Sequence, residues 1–210
     1  MPNRLRDVIS PGHTALLLQE VQQGVVGASS VLPSLAEAGR AVGLIPNAAR
    51  LARAARAAGV PVVHCTAENL PGGFGVNDNA RLFAGARRAG AENKPGSDSV
   101  APVPEVGVGP NDVVLPRYHG LSPMTGGPLD SLLRNSRITT VVIAGVSLNI
   151  AIPNLVFDAV NRAYQVVLVT DAVAGVPVEY GQQIVQHTLK LLATLAAADD
   201  VVSVWDAKDL

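Results

Sequence analysis

Residues Thr139–Thr170, TTVVIAGVSLNIAIPNLVFDAVNRAYQVVLVT, decide the fold class of this 210-residue chain. Thr139–Val146 is a nearly continuous run of β-branched and small apolar residues, the pattern of a strand buried on both faces. Pro153–Ala163 reads as a helix, with Pro153 tolerated in its first turn because the amide it lacks has no partner there. Gln165–Thr170 (QVVLVT) then returns to the buried-strand pattern. Strand, helix, strand in so short a span is the building unit of a parallel sheet.

The same alternation extends outward in both directions. Toward the N-terminus, Leu129–Arg134 reads as helix, Asp112–Leu115 as a strand, and Gly90–Pro110 as an irregular stretch rich in Gly and Pro. Asn79–Ala89 reads as a short helix and Val60–Cys65 (VPVVHC) as a strand. Ala48–Ala58 is an Ala-rich helix closed by Gly59 in the C-cap place. Its Arg50, Arg53 and Arg56 recur every three residues, which predicts one solvated basic face. Gly24–Ser30 is a Gly/Ser-rich loop, and Thr14–Val21 (TALLLQEV) is the first buried strand. Toward the C-terminus, Val178–Ala197 reads as one long amphipathic helix and Asp200–Trp205 (DVVSVW) as a last strand, with Trp205 in core or subunit contact. The expectation is a single α/β domain over residues 1–210, a three-layer α-β-α sandwich around a mostly parallel six-stranded sheet. About twelve N-terminal residues form an extension.

Composition narrows the function classes. The net charge of −1 gives no electrostatic reason to expect nucleic acid or an anionic membrane as partner. Hydrophobic residues make up 48% and aromatics 3%, so the core is built from Ala, Val and Leu. Lysine occurs only at positions 94, 190 and 208, which makes a catalytic lysine hard to place. A single cysteine, Cys65, excludes an internal disulfide and fits a reducing, cytoplasmic setting. Met1–Ser10 lacks the apolar segment of a secretory signal, and no apolar run is long enough to span a membrane. No glycine-rich nucleotide loop follows a strand, so no cofactor is expected. His13, His64, His119 and His187 are scattered without ligand spacing, so no metal is expected.

In open parallel sheets ligands bind beyond the carboxyl ends of the strands. That rule nominates Gln19–Gln22, His64–Glu68, Pro116–His119, Ser147–Ala151 and Asp171. Three of these regions carry a resemblance. ALLLQEVQQG (Ala15–Gly24) resembles the opening of the isochorismatase-like (cysteine hydrolase) superfamily, with Glu20 at the acid position and Gln22 at the glutamine that follows it. GVSLNIAI (Gly145–Ile152) with FDAVNRAYQVVLVTDAVAG (Phe157–Gly175) is similar to the segment that carries the family cysteine. SPMTGGPLDSLLR (Ser122–Arg134) lies between them in the expected order, so the likeness covers about Ala15 to Leu195.

The resemblance implies a catalytic trio at Glu20, Arg117 and Ala151, and the departures alter its chemistry. Ala151 stands where the family has its nucleophilic cysteine, which excludes a thioester mechanism there. Cys65, at the end of the second strand, is expected to be buried packing. The family lysine is also absent. Counting along the third strand places Arg117 there, whereas counting back from Ser122 gives Tyr118; strand register favours Arg117, because loops absorb insertions. Arginine does not exchange a proton near neutral pH, but it clamps a carboxylate through two parallel hydrogen bonds. By the same likeness the Val146–Ser147 peptide is cis and turns backbone amides near residues 150 and 151 into the pocket. Substrate-binding roles are implied for Gln22, Glu68, Tyr118, His119, Ser147, Asn149 and Ile150, although His119 also reads as a surface-loop histidine, and Ser147 and Asn149 also read as satisfying backbone groups in the tight turn.

Two functional expectations follow. One is a hydrolase of a small carboxylate-bearing molecule that works without a cysteine, with Glu20 as general acid, as in the true isochorismatases of the superfamily. The other is an inactive or repurposed relative that binds a small ligand, its Glu20 and Arg117 closed on each other as an ion pair. Family members assemble as dimers or tetramers, and a homodimer or homotetramer is expected here.

Overall fold

The computed structural model describes residues 5–88 and 92–207. Six strands form one sheet, all parallel, in the order β3-β2-β1-β4-β5-β6. They are β1 (Thr14–Gln19), β2 (Val62–Ala67), β3 (Val113–Arg117), β4 (Thr140–Val146), β5 (Gln165–Ala174) and β6 (Thr194–Ala196). Strand order reverses direction between β1 and β4, so the crevice beyond their carboxyl ends is the topological switch point, where ligands bind in open α/β sheets.

Burial explains why β1 and β4 sit centrally. All six residues of β1 and all seven of β4 are buried. Alternate residues serve opposite faces. Leu16 and Leu18 pack into one apolar cluster, Ala15 and Leu17 into the other. The first face is covered by α1 (Leu5–Val8), α2 (Pro33–Val42), α3 (Leu44–Ala57) and α8 (Ala198–Trp205). The second is covered by α5 (Leu129–Asn135), α6 (Ala151–Asn161) and α7 (Val178–His187). The result is the expected three-layer sandwich. α4 (Arg81–Arg88) lies apart, with none of its residues buried.

One contact locks the switch point. Gly145 in β4 has φ +123° and faces Gln19 of β1; a Cβ there would sit 2.0 Å from the Gln19 carbonyl oxygen. No side chain fits, so only glycine permits this approach of the two strands.

The structure revises several sequence expectations. Val178–Ala197 is not one helix: α7 stops at His187, a 3-10 turn covers Leu189–Leu191, and β6 follows. Fully buried Leu189 anchors the break. Asp200–Trp205 is helix rather than strand, and β6 is the sixth strand. Ala198, Val201 and Trp205 are buried at helical spacing, while the Asp200 carboxylate accepts the Ala197 amide at 3.1 Å and caps the first turn. Pro33–Val42 forms a helix where none was assigned, opened by Pro33 and closed by Gly43 in the left-handed conformation. Residues 5–9, assigned to an extension, pack into the domain: Ile9 is fully buried, and its carbonyl accepts the Trp205 indole N–H at 3.0 Å. The three arginines of α3 do not form one solvated face. Arg50 pairs with Asp199, Arg56 pairs with Asp112 at 2.6 Å, and Arg53 alone is exposed without an ion pair among the described residues. Ala89 and Gly90 fall outside the described residues.

Candidate functional site

β1 ends by turning sharply at Glu20, a non-glycine residue with φ +52°. A side chain in this left-handed region is disfavoured by roughly 1 kcal/mol, so its surroundings must hold it. The Glu20 amide donates to the Cys65 carbonyl at 2.8 Å, continuing the β1–β2 ladder by one bond. The carboxylate is aimed at β3. Its Oε1 accepts from Arg117 Nη2 at 2.5 Å and from Gln19 Nε2 at 2.8 Å. Arg117 is the last residue of β3 and pairs in register with Ala67. Its Nη1 donates to the carbonyls of Gly120 and His119. Its Nε is buried without an acceptor among the described residues. Both side chains of the pair are partly buried, at 14% and 16% exposure, so solvent screens their attraction only in part. Arg117, not Tyr118, therefore faces the acid.

The third element is the turn after β4. The Val146–Ser147 peptide is cis. The Ser147 carbonyl then gathers the amides of Ile150 at 3.2 Å and Ile152 at 3.0 Å. Ala151, the first residue of α6, lies between them, and its amide has no acceptor among the described residues. A free N–H at a helix N-terminus stabilises negative charge. Glu20, Arg117 and Ala151 line one cleft of about 250 Å³. Glu68, Tyr118, His119, Ser147 and Ile150 line it too.

Two residues assigned to substrate lie outside this cleft. Gln22 is fully buried; its Oε1 accepts the Ala67 amide at 2.7 Å and its Nε2 donates to the carbonyls of Ala67 and Ser99. That carboxamide ties the chain after β1 to β2 and to the 97–100 segment, with no capacity left for a ligand. Asn149 exchanges both bonds with Val176, accepting its amide at 2.8 Å and donating to its carbonyl at 2.5 Å. It holds the turn against the end of β5.

The sequence reading missed the apolar wall of the cleft. Val31 and Leu32 just before α2, Leu35 within it, and Leu82 and Phe83 of α4 line the cleft. The available signal was the half-buried pattern of α4, a helix whose apolar residues meet no core. Cys65 gives no alternative nucleophile: it is 1% exposed, and burial pushes its thiol pKa up to about 12. The described residues do not fit a zinc site. His64 Nε2 is engaged by Asp112 at 2.9 Å, and among the described residues no three His, Cys, Asp or Glu side chains stand close enough to share an ion. Among them, too, no helix is long and apolar enough to cross a membrane.

Comparison with known proteins agrees with this fold. Residues 14–200 match the family model described as the isochorismatase domain. Over 181 residues the chain is 30% identical to the ureidoacrylate amidohydrolase RutB of Methylobacterium radiotolerans, covering 78% of this chain and 68% of that protein. An isochorismatase family protein from Burkholderia thailandensis superimposes with a TM-score of 0.74 at 24% identity, covering 93% of this chain and 97% of the other. A cysteine hydrolase from Pseudomonas syringae pv. phaseolicola superimposes at 0.79 with 21% identity, covering 98% and 99%. At those identities the two structures speak for the fold alone. With a family match across nearly the whole sheet, the chain belongs to the isochorismatase family.

Proposed function

We propose that the chain is a hydrolase of a small carboxylate-bearing molecule, with water rather than a protein thiol as nucleophile and Glu20 moving the proton. The observation that carries this is the Glu20 carboxyl, held by Arg117 and Gln19 on one oxygen alone in the cleft it shares with the unbonded Ala151 amide. A substrate carboxylate that takes over Arg117 in a bidentate contact frees the Glu20 carboxyl to act on the reacting carbon. For an enol ether, Glu20 as general acid gives a proton to the vinyl carbon, whose π pair forms the new C–H bond. Water adds through oxygen to the resulting oxocarbenium carbon and returns a proton to Glu20; the hemiketal splits into a ketone and an alcohol. The ureidoacrylate hydrolysed by the RutB relatives also carries a carboxylate, which supports the role given to Arg117.

A second reading rests on the same contact. Glu20 and Arg117 pair at 2.5 Å, a contact that would equally suit a pocket that binds a ligand without turning it over. Assaying isochorismate, ureidoacrylate and simple vinyl ethers with wild type and Glu20→Gln separates the two. The proposal expects turnover that falls by about a hundredfold or more in the variant, the usual scale for a lost acid–base group. Turnover indifferent to that substitution removes Glu20 from the mechanism. No turnover, with a ligand-induced rise in melting temperature, establishes the binding reading instead.

A further inference from the structure

Three charged side chains line the cleft: Glu20, Arg117 and Glu68. The first two are paired. Glu68 is the exception, only 9% exposed, and Thr66 Oγ1, at 3.0 Å from Oε1, is its one hydrogen-bond donor among the described residues. No Lys or Arg pairs with it among them. Its other oxygen is not among the buried unpartnered atoms, so it opens onto the cleft with no counter-charge beside it, placed to take a cationic donor. Glu68 also leaves the lining one negative charge in excess.

From this we infer that the ligand brings the missing cation: a protonated amine that binds Glu68, on a molecule whose carboxylate binds Arg117. The inference deepens the hydrolase reading and rests on it for the role of Arg117. Position supports it. The Glu68 amide donates to the Arg117 carbonyl at 3.0 Å, so both residues leave adjacent strands at one rim. Neighbouring strands are about 5 Å apart, a spacing on the scale of an amino acid's two charged groups. Charge balance supports it too. With a zwitterion bound and Glu20 protonated, two positive charges (Arg117 and ammonium) face two negative ones (Glu68 and the substrate carboxylate). A dicarboxylate would leave two uncompensated negative charges in the same space. Leu32, Leu35, Leu82 and Phe83 supply the surface for an apolar body between the charged groups and solvent. The substrate class is an amphiphilic amino acid or a derivative that keeps its free amine.

Titration calorimetry with leucine, 4-methylpentanoate and 3-methylbutylamine, which share one hydrocarbon body, tests this on the wild-type protein. Leucine binds at least about tenfold more tightly than either single-charge analogue, the scale of one charge-assisted hydrogen bond. Glu68→Gln removes that advantage while 4-methylpentanoate affinity stays within about twofold, since an amide keeps the shape but not the charge. Equal or tighter binding of 4-methylpentanoate, an advantage that survives Glu68→Gln, or no binding by any of the three overturns the inference. The Glu20→Gln assay fails or succeeds separately. A preference for leucine without turnover leaves the amine site standing and removes the hydrolase, whereas turnover of amine-free carboxylates without that preference does the reverse.

Discussion

β3 carries an arginine–carboxylate pair at each end, and the two are built to opposite specifications. At the entry, the Asp112 side chain is 3% exposed and takes four donors. Its carboxylate accepts from Arg56 Nη2 at 2.6 Å, from Arg56 Nε, from the Gly109 amide at 2.9 Å and from His64 Nε2 at 2.9 Å. Arg56 also donates to the carbonyls of Val106 and Gly107. At the exit, Glu20 accepts two bonds on one oxygen, and Arg117 keeps a buried Nε without a partner. The entry cluster ties α3, β2 and the 106–109 loop together through four donors on one carboxylate, and it lines no cleft named here. The exit pair lies at the switch point, where the Glu20 carboxylate lines the cleft with two donors on one of its oxygens. Arginine–carboxylate pairing thus serves stability where protein donors crowd the carboxylate and is available to a ligand where they do not.

The comparison breaks first at Asp112. Asp112→Ala strands Arg56 and His64 in a buried site and should lower the unfolding free energy by about 3–5 kcal/mol, read from urea denaturation. At the exit, the double variant Glu20→Gln/Arg117→Met removes both charges together and should change stability by no more than about 1 kcal/mol. A large loss there would erase the distinction between the two pairs.

Acid sharpens the contrast next. Burial lowers the His64 pKa below its ordinary value of 6.5, against the opposing pull of Asp112. Its Nδ1 is buried without a partner among the described residues, which fits a neutral ring that donates from Nε2. The unfolded chain therefore binds a proton below pH 6.5 that the fold refuses. The stability is fully present above that pH and declines as pH falls below it. Burial alone would raise the Asp112 pKa, but bonds from Arg56, the Gly109 amide and His64 outweigh it and bring it down to about 2 from 3.8. Its contribution is present above pH 3.8 and is lost as pH drops toward 2. Urea midpoints measured at pH 7.5 and pH 5 should differ for wild type and converge for His64→Gln.

The smallest effect concerns position 151. Ala151→Cys places a thiol at the N-terminus of α6, where the helix favours the thiolate. It should be alkylated by iodoacetamide in the folded protein, with stability changed by less than about 0.5 kcal/mol. Wild type, with only Cys65, should resist alkylation until it unfolds. Equal labelling of both proteins would show that the turn after β4 does not open onto the cleft.

Much of this was legible in the sequence where local pattern and burial coincide. β1, β4, α6 and the start of β5 follow from apolar runs long enough to fix both type and direction. Glu20, Arg117 and Ala151 followed from strand-end positions together with the family resemblance, and all three line one cleft. The C-terminal region was misread because VVSVW supports either period over so few residues, and only packing of Val201 and Trp205 beneath α1 and α3 decides between them. Gln22 and Asn149 sit where ligand residues belong, yet each carboxamide is engaged by backbone distant in sequence. Arg56 looked like part of a solvated stripe because its partner Asp112 lies 56 residues further on. The apolar wall joins α2 to α4, which no local pattern connects.

Gly145 has one more consequence. Because the Gln19 carbonyl occupies the place of any side chain at 145, a substitution there would push β4 away from β1 at the mouth of the cleft. Reshaping the cleft by mutagenesis therefore starts in the excursion between β2 and β3, which supplies Leu82 and Phe83 of its wall, and leaves the two central strands untouched.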